Sequence, residues 1–524
     1  MRRSSELLIH VDRSAETPLT RQLFELLRSA IHDGRLRPGD PLPASRRFAE
    51  TLDVSRTVVL NAYDQLRQEG YLDARHGSGT FVREPPAPPV NGAAAPERPA
   101  GRADRDGPAE RPPGRPPSHA VALAPVLRIT QETRARRRTP HRRAPARARP
   151  GPRARTIDFS PAMPAIDRFP VRQWRAFVDD AYARADAGAL GYGYVDGLPR
   201  LREEVARRVR LTRAIPIGPD RVVITSSASS ALGILARHLL APGDVVAVED
   251  PCHPGVPELM RGDGVTVLPI AVDEHGIRVD SLVRASAHRR IKAVYVTPAH
   301  HFPTGVRLGQ TRRNRLLAWA RAHGALIIEH DYDDEFCFGG PRVPALASLA
   351  PDLVAYVASF NKTMFPSLRI GHIVLPADRW AGFVRVKRIV DPASANIEQN
   401  ALADFIGSGA YARHLKAMRR LYHERSVALR DALHEQGGGL LVPPADTAGL
   451  HMYVRRVADM PEPELLARTQ AHGVGVYSAA ACRQREPDGP AGDHLIMGFG
   501  CVPPAQIGEG VRRLTRALRG QPPM

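Results

Sequence analysis

Ser359-Phe360-Asn361-Lys362-Thr363-Met364-Phe365-Pro366-Ser367-Leu368-Arg369 contains one of only four lysines in a chain of 524 residues with 70 arginines. The stretch directly follows residues 353–358, an apolar run that is typical of a buried strand. A hydroxyl lies three residues before Lys362, and an arginine lies seven residues after it. An amine can form an imine with an aldehyde, and a hydroxyl and an arginine can bind a phosphate group. The stretch therefore places an amine, a hydroxyl and an arginine together at the end of a predicted strand.

Further apolar runs after residue 156 indicate a large α/β domain around this stretch. Helical patterns such as 230–240 and 311–323 separate several of the runs. Strands that are apolar on both faces and are linked by helices predict a mostly parallel sheet that is covered on both sides. The runs are 222–224, 245–248, 265–268, 293–296, 325–328 and 353–358.

The unusual motifs of this domain follow these runs, at the carboxyl ends of the predicted strands, where ligands bind in such sheets. Thr225-Ser226-Ser227-Ala228-Ser229-Ser230 opens a helix, and small residues there can expose backbone N–H groups to a phosphate. The same serines also suit an ordinary N-cap, so this motif alone leaves both interpretations open. The other motifs at strand ends are 249–255, 297–305 and 329–336.

The first 83 residues predict a winged helix-turn-helix. Apolar residues recur at helical spacing over 18–33, residues 42–45 are expected to open a short helix that runs to about 52, and Ser55 is placed to cap a third helix. A hairpin is expected over 76–82. Three helices followed by a hairpin describe this DNA-binding fold.

Between the two domains, residues 84–155 are rich in Pro, Ala and Arg. This segment has 16 arginines and 6 acidic residues, a local balance of +10 within a net charge of +19. It cannot bury enough apolar surface to offset its ordering entropy, so we expect a disordered linker. It is interpreted as a solvated tether, with non-specific attraction to DNA phosphates as the alternative. The predicted organisation is therefore 1–83, 84–155 and 156–524.

Other features limit the class of protein. No stretch of 18 apolar residues is present, and the start of the chain lacks the apolar segment of a secretory signal. The four cysteines are scattered without metal-ligand spacing, so no metal site is expected. These features predict a cytoplasmic protein.

The N-terminal motifs resemble the GntR family of regulators. They are Leu42-Pro43-Ala44-Ser45-Arg46, Val54-Ser55-Arg56-Thr57-Val58 and Gly77-Ser78-Gly79-Thr80-Phe81-Val82. The resemblance implies that the third helix enters the major groove of double-stranded DNA and that the glycine wing touches the minor groove. Arginines at the start of a recognition helix can reach bases and phosphates. The DNA contacts that we expect are Arg46, Arg56, Thr57 and Gly77.

The whole chain except the linker resembles the MocR/PdxR subfamily, which joins a GntR module to a domain of aminotransferase fold type I that binds pyridoxal 5′-phosphate (PLP). By this resemblance Lys362 is the aldimine lysine. Ser359 and Arg369 would hold the cofactor phosphate, aided by 226–228, that is Ser226, Ser227 and Ala228. Tyr332 would hydrogen-bond the phenolic oxygen, and His253 would stack on the pyridine ring.

Two departures from that subfamily's pattern are expected to affect chemistry. The acidic partner of the pyridine nitrogen falls at His330, and a histidine cannot stabilise a protonated ring nitrogen as a carboxylate does. Asp331 is a neighbour, but adjacent strand residues point to opposite faces, so it can substitute only if the strand bulges. The arginine that binds a substrate carboxylate is replaced by Cys501, which cannot make a bidentate contact. Ordinary transamination is therefore expected to be impaired.

These observations favour a DNA-binding regulator that uses a PLP domain to sense a small-molecule effector, whose identity the sequence does not give. The aminotransferase fold implies a homodimer that reads paired half-sites of an operator. Two alternatives stay open at this point: an active PLP-dependent aminotransferase that carries a DNA-binding module, and a cofactor-free dimerisation scaffold.

Overall fold

A computed structural model gives the structure of the protein. It describes residues 11, 18–75, 79–83, 156–262, 264–338, 344–445, 448–457, 460–484 and 494–523. The predicted linker, 84–155, and the wing residue Gly77 lie outside the described residues.

The N-terminal module has the three predicted helices and a hairpin, whose first strand lies at Leu72–Arg75, ahead of the predicted range 76–82. The Ser55 hydroxyl accepts a hydrogen bond from the Val58 N–H at 3.4 Å, so the third helix begins with the expected cap. Asp53 adopts a left-handed conformation, with φ of 53°, and this turn separates the second helix from the third. The elements are α1 (Leu19–His32), α2 (Ser45–Leu52), α3 (Arg56–Gln68), β1 (Leu72–Arg75) and β2 (Gly79–Val82).

The large domain is built on an eight-stranded, mostly parallel sheet, which confirms the predicted fold class. The strand order is β4-β11-β10-β9-β8-β5-β6-β7. Strands β11 and β7 pair antiparallel with their neighbours, and the central pairs are parallel. The strands are β4 (Val222–Thr225), β5 (Val245–Asp250), β6 (Thr266–Asp273), β7 (Gly276–Ile277), β8 (Ile291–Val296), β9 (Leu326–Asp331), β10 (Val354–Ser359) and β11 (Gly371–Val374).

Helices cover both faces of this sheet, and two small sheets stand beside it. The small sheets are β12-β13-β16-β15, which is antiparallel, and the parallel pair β14-β3. Their strands are β3 (Ile157–Asp158), β12 (Leu441–Val442), β13 (His451–Arg456), β14 (Val474–Gly475), β15 (Tyr477–Ser478) and β16 (His494–Gly498). The helices are α4 (Val171–Ala183), α5 (Ala187–Leu190), α6 (Pro199–Arg213), α7 (Ala228–Leu239), α8 (Gly255–Met260), α9 (Val279–Ser286), α10 (Gln310–His323), α11 (Leu346–Leu349), α12 (Ala377–Val390), α13 (Asn396–Gly407), α14 (Ala410–Gln436), α15 (Glu462–Ala471) and α16 (Pro504–Leu518).

Alternation along the strands divides the core into two layers. Ile328 and Val357 pack in the layer with α7. Ile327 and Tyr356 point the other way and pack in the layer with α6 and α14. Because side chains alternate in a strand, neighbouring residues at a strand end enter different environments.

A buried ionic cluster closes the α6 side of the sheet. Arg213 Nε lies 2.5 Å from Asp331 Oδ2, and its Nη2 lies 3.2 Å from Glu335 Oε1. Tyr356 also donates its hydroxyl hydrogen to Asp331. The cluster anchors α6 to the end of β9, because breaking a buried ion pair leaves an uncompensated charge in the interior.

We expect Asp331→Ala to lower the free energy of unfolding by about 3 kcal/mol, because it removes one of the buried carboxylates that neutralise Arg213. Urea unfolding followed by circular dichroism measures this loss. Asp280→Ala is the matched control, since Asp280 pairs with Arg315 on the exposed surface. The control should leave the urea midpoint nearly unchanged. Equal midpoint shifts in the two variants would contradict the stabilising role of the buried pair.

Helix α6 also contacts the N-terminal module. Leu211 packs within the apolar core of that module. Arg210 Nη2 lies 3.6 Å from Asp40 Oδ2, and Arg37 donates to the Ile217 carbonyl oxygen at 3.1 Å. The last turns of α6 thus contact the module on one side and, through Arg213, the end of β9 on the other.

Candidate functional site

The turn from β4 into α7 forms one side of the candidate site. Ser227 caps α7, since its hydroxyl accepts from the Ser230 N–H at 3.0 Å. The Ser227 hydroxyl is therefore already engaged in a hydrogen bond within the protein. Ser226, the neighbouring residue, is half-buried. The first N–H groups of a helix have no partner within the helix, so the start of α7, at Ala228, offers donors to an anion.

Strand β11 begins next to the start of α7, and Arg369 lies just before this strand. A Cβ atom on Gly371 would lie 2.9 Å from the Ala228 nitrogen, so only glycine permits this approach of β11 to α7. Arg369, two residues earlier, has φ of 55°, is exposed, and makes no ion pair within the described residues. Ser359 pairs with Gly371 in the sheet. The main chain that carries the predicted phosphate ligands therefore lies at one end of the sheet, where β4 and β10 end and β11 begins.

Lys362 lies just beyond the end of β10, as the sequence predicts. Its amine donates to the Ala162 carbonyl oxygen at 2.7 Å. Burial lowers the pKa of this amine to about 8, and Asp333 opposes that shift. A fraction of roughly a tenth of the amine is therefore neutral near pH 7, and the neutral amine is the nucleophilic form.

Three further residues were predicted to contact the cofactor, namely His253, His330 and Tyr332. His330 lies on β9 and Tyr332 just after it, with ring centroids 6.1 Å apart. His253 is exposed, and its ring lies 5.5 Å from the ring of Phe302. The pKa of His330 is lowered to about 4, chiefly by burial; Asp331 and Asp333 oppose the shift, while His253 and Lys362 contribute to it. The imidazole of His330 is therefore neutral at pH 7.

Asp331 does not take the place of His330. The pairing of β9 with β10 is regular through His330 and Asp331, without a bulge. The carboxylate of Asp331 points to the α6 side, where Arg213 and Tyr356 bind it. Because the strand has no bulge, Asp331 cannot serve as the acidic partner of the pyridine nitrogen in place of His330.

The structure adds polar residues that the sequence reasoning missed. Tyr295 lies 2.8 Å, through its hydroxyl, from His330 Nδ1. His300 Nδ1 lies 2.9 Å from the Tyr332 hydroxyl and 3.0 Å from Asp333 Oδ1. Tyr295 is part of an apolar run, and no local pattern distinguishes it. Asp333 and His300 belong to the motifs 329–336 and 297–305, and their position at strand ends was the only feature of the sequence that pointed to them.

Cys501 lies beside a buried arginine. Its Sγ atom is 3.7 Å from the Asp158 carbonyl oxygen. Arg425 is buried and donates to the Gly500 carbonyl oxygen, so its guanidinium holds the main chain next to Cys501. Arg425 is therefore not available to bind a substrate carboxylate in place of the arginine that is missing at position 501.

The predicted DNA contacts that the structure describes lie together on the surface of the module. Arg56 and Thr57 are exposed in the first turn of α3. Arg56 Nε donates to the Ser45 hydroxyl at 3.3 Å, which places it beside the start of α2. Arg46 is exposed, and 4.0 Å separates its Nε from Glu50 Oε1. These cations are accessible to a polyanion.

Within the described part of the chain, no helix is long and apolar enough to cross a membrane. The same residues contain no group of His, Cys, Asp or Glu side chains that could hold a metal ion.

Two family models match the chain. Residues 19–82 match the bacterial regulatory proteins of the gntR family. Residues 165–464 match aminotransferase class I and II.

Relatives match along nearly the full chain. The probable rhizopine catabolism regulatory protein MocR of Rhizobium meliloti is 33% identical over 98% of this chain and 96% of its own. The transcriptional regulator TauR of Rhodobacter capsulatus is 31% identical over 96% of each chain. The pyridoxine biosynthesis regulator PdxR of Corynebacterium glutamicum is 29% identical over 95% of each chain.

A solved structure supports the fold of the large domain. The α-aminoadipate aminotransferase LysN of Thermus thermophilus superposes with a TM-score of 0.64 and 25% identity, over 70% of this chain and 92% of its own. That structure contains a phosphopyridoxyl-leucine complex. With a GntR module, an aminotransferase class I and II domain and full-length relatives of the same composition, the chain belongs to the MocR-type branch of the GntR family of helix-turn-helix transcriptional regulators.

Proposed function

We propose that this regulator binds PLP at Lys362 and uses the large domain to sense a small molecule at that site. The observation that carries the proposal is Lys362: a partly buried amine with a pKa of about 8, just beyond the end of β10, at the end of the sheet where β4 ends and β11 begins. Members of the aminotransferase class I and II family bind PLP, and the cofactor supplies an electrophilic aldehyde when it is bound.

The residues present fit the phosphate end and the aldehyde end of that cofactor. The start of α7 offers N–H donors, and the accessible guanidinium of Arg369 adds a positive charge. Gly371 allows β11 to pack directly against the start of α7, because a side chain there would meet the main chain of Ser227 and Ala228. Tyr332 would hold the phenolic oxygen, while His253 would cover one face of the ring.

The ring-nitrogen end fits binding better than transamination. His330 is neutral and provides no negative charge to a protonated ring nitrogen. Cys501 cannot make the two parallel hydrogen bonds by which an arginine binds a substrate carboxylate. The sensor function is therefore favoured over an active aminotransferase, although Lys362 is the residue that such an enzyme would also use.

Restoring the two family residues should raise chemistry with amino acids. We expect the double variant His330→Asp, Cys501→Arg to convert bound PLP to pyridoxamine phosphate at least about tenfold faster than wild type, since one tenfold step needs only about 1.4 kcal/mol. Single-turnover absorbance with a panel of amino acids measures the rate. Cys337→Arg is a control for the added charge alone. An unchanged rate in the double variant would show that the pocket differs beyond these two positions.

On the DNA side, we propose that Arg46, Arg56, Thr57 and Gly77 contact an operator in double-stranded DNA. The bounds 1–83, 84–155 and 156–524 remain our proposal for the DNA-binding module, the linker and the effector domain. We also propose a homodimer, which would present two recognition helices. The segment around α5 supports an interface, because Tyr192 is 88% exposed and Leu190 is 67% exposed.

The proposed function requires that the state of the cofactor site changes DNA affinity, and Leu211 is placed to transmit the change. We expect operator affinity to differ about 5- to 150-fold between cofactor-free and PLP-loaded wild type. Leu211→Ala should reduce that ratio to near one, because it loosens the contact of α6 with the module. Fluorescence anisotropy with DNA from upstream of the protein's own gene measures both ratios.

Leu465→Ala is the control for general destabilisation in this experiment. Leu465 is a buried leucine on α15, and it packs in the core of the large domain rather than in the core of the module. The control variant should therefore retain the PLP-dependent ratio. No PLP-dependent ratio in wild type would refute the proposed coupling.

A further inference from the structure

Tyr295 and His330 form a hydrogen-bonded pair on adjacent parallel strands. In the register of β8 and β9, Tyr295 faces Ile328, and His330 stands two residues further on. Tyr295 and Ile328 pack in the α7 layer, and alternation places His330 on the same face. The Tyr295 hydroxyl and His330 Nδ1 are 2.8 Å apart.

The hydrogen bond specifies which ring nitrogen of His330 carries the proton. Tyr295 is 2% exposed, and among the described residues its hydroxyl has no other hydrogen-bond partner than His330 Nδ1. If Nδ1 donated, the buried hydroxyl hydrogen would lack an acceptor, which costs about 1–3 kcal/mol. The hydroxyl therefore donates to Nδ1. A neutral imidazole then carries its hydrogen on Nε2.

None of the charged groups around His330 that the structure describes accepts a hydrogen bond from that Nε2–H. Asp331 points to the opposite face and is bound by Arg213. Asp333 is held by His300 Nδ1 at 3.0 Å. His253 and Lys362 both act electrostatically on His330, and both disfavour its cationic form. Nε2 of His330 has no hydrogen-bond partner among the residues that the structure describes, so it is available to a ligand beside Lys362.

We propose that Tyr295 is a positioning residue that fixes His330 as a neutral hydrogen-bond donor through Nε2, so that the pocket accepts a pyridoxal ring whose nitrogen is unprotonated. This inference rests on the proposed binding of PLP. A donor opposite the ring nitrogen binds its lone pair and excludes a proton, whereas a carboxylate would retain one. An unprotonated ring withdraws electrons less strongly, so the pocket holds the cofactor while suppressing reactions that depend on an electron sink.

The first measurement reads the tautomer without any cofactor. Solid-state NMR of protein with 15N-labelled histidine distinguishes protonated from unprotonated ring nitrogens, and His330→Asp assigns the signals of residue 330. In wild type we expect Nδ1 unprotonated and Nε2 protonated. Tyr295→Phe removes only the hydroxyl and should give a mixture of both tautomers.

Tyr356→Phe is the matched control, since it removes another buried hydroxyl, one that binds Asp331 on the opposite face. This control should leave the His330 signals as in wild type. A protonated Nδ1 in wild type, or identical His330 signals in wild type and Tyr295→Phe, would overturn the role of Tyr295.

The second measurement uses PLP labelled with 15N at the ring nitrogen. We expect an unprotonated ring nitrogen in wild type, a protonated one in His330→Asp, and a shift toward the protonated signal in Tyr295→Phe. A protonated ring nitrogen in wild type would overturn the inference even if PLP binds. Failure of PLP binding is seen separately, as the absence of a pyridoxyl adduct after borohydride reduction, and it would refute the proposed function and the ring-nitrogen inference together.

Discussion

Lys362→Ala is expected to abolish the covalent attachment of PLP to this protein. In wild type, incubation with PLP, borohydride reduction and digestion should give a pyridoxyl adduct on the peptide that contains Lys362. The reason is that Lys362 combines a depressed pKa, about 8, with a position at the end of the sheet where the main chain carrying the proposed phosphate ligands also lies. Mass spectrometry of the digested protein should detect no adduct at residue 362 in the variant, and the visible absorbance of the bound cofactor should disappear.

Lys416→Ala is the matched control for this experiment. Lys416 is exposed on α14, and the variant should retain the full adduct on the Lys362 peptide. Far-ultraviolet circular dichroism would establish that both variants are folded. A wild-type protein without an adduct at Lys362, even after reconstitution with PLP, would support the cofactor-free scaffold instead.

Arg56→Ala is expected to weaken operator binding by about 100-fold or more while leaving cofactor binding intact. One arginine contact to a base or phosphate contributes about 1–3 kcal/mol, and the proposed homodimer would lose two such contacts. Arg56 is exposed in the first turn of α3, where a recognition helix meets base edges. Gel shift or anisotropy at constant salt measures the loss, because such affinities depend steeply on salt concentration.

Arg67→Ala, at the other end of the same helix, provides the comparison. Arg67 is exposed and pairs with Asp64, so its removal changes the net charge equally without affecting the start of α3. Its effect on operator affinity should be several-fold at most. If Arg56→Ala bound the operator as well as wild type does, the assignment of α3 as the recognition helix would be wrong.

Much of the fold could be predicted because it depends on local patterns. The apolar runs correspond to the strands, and Ser55 caps α3 as expected. The predicted module, fold class and family were confirmed. The roles of Lys362, Arg369 and the residues near α7 are carried by motifs at strand ends and stay predictions, although the structure brings them to one edge.

The main strands and helices and the order of the motifs could be read from the sequence, because apolar periodicity and helix caps depend on residues only a few positions apart. The direction of the Asp331 side chain, the hydrogen-bond partner of Tyr295 and the contacts of α6 became visible only in the folded protein. Such facts depend on residues far apart in the chain, brought together by sheet register and alternation. Tyr295 looks like one more apolar strand residue until β8 and β9 lie side by side. Leu211 looks like a residue of one domain until it packs in the core of the other.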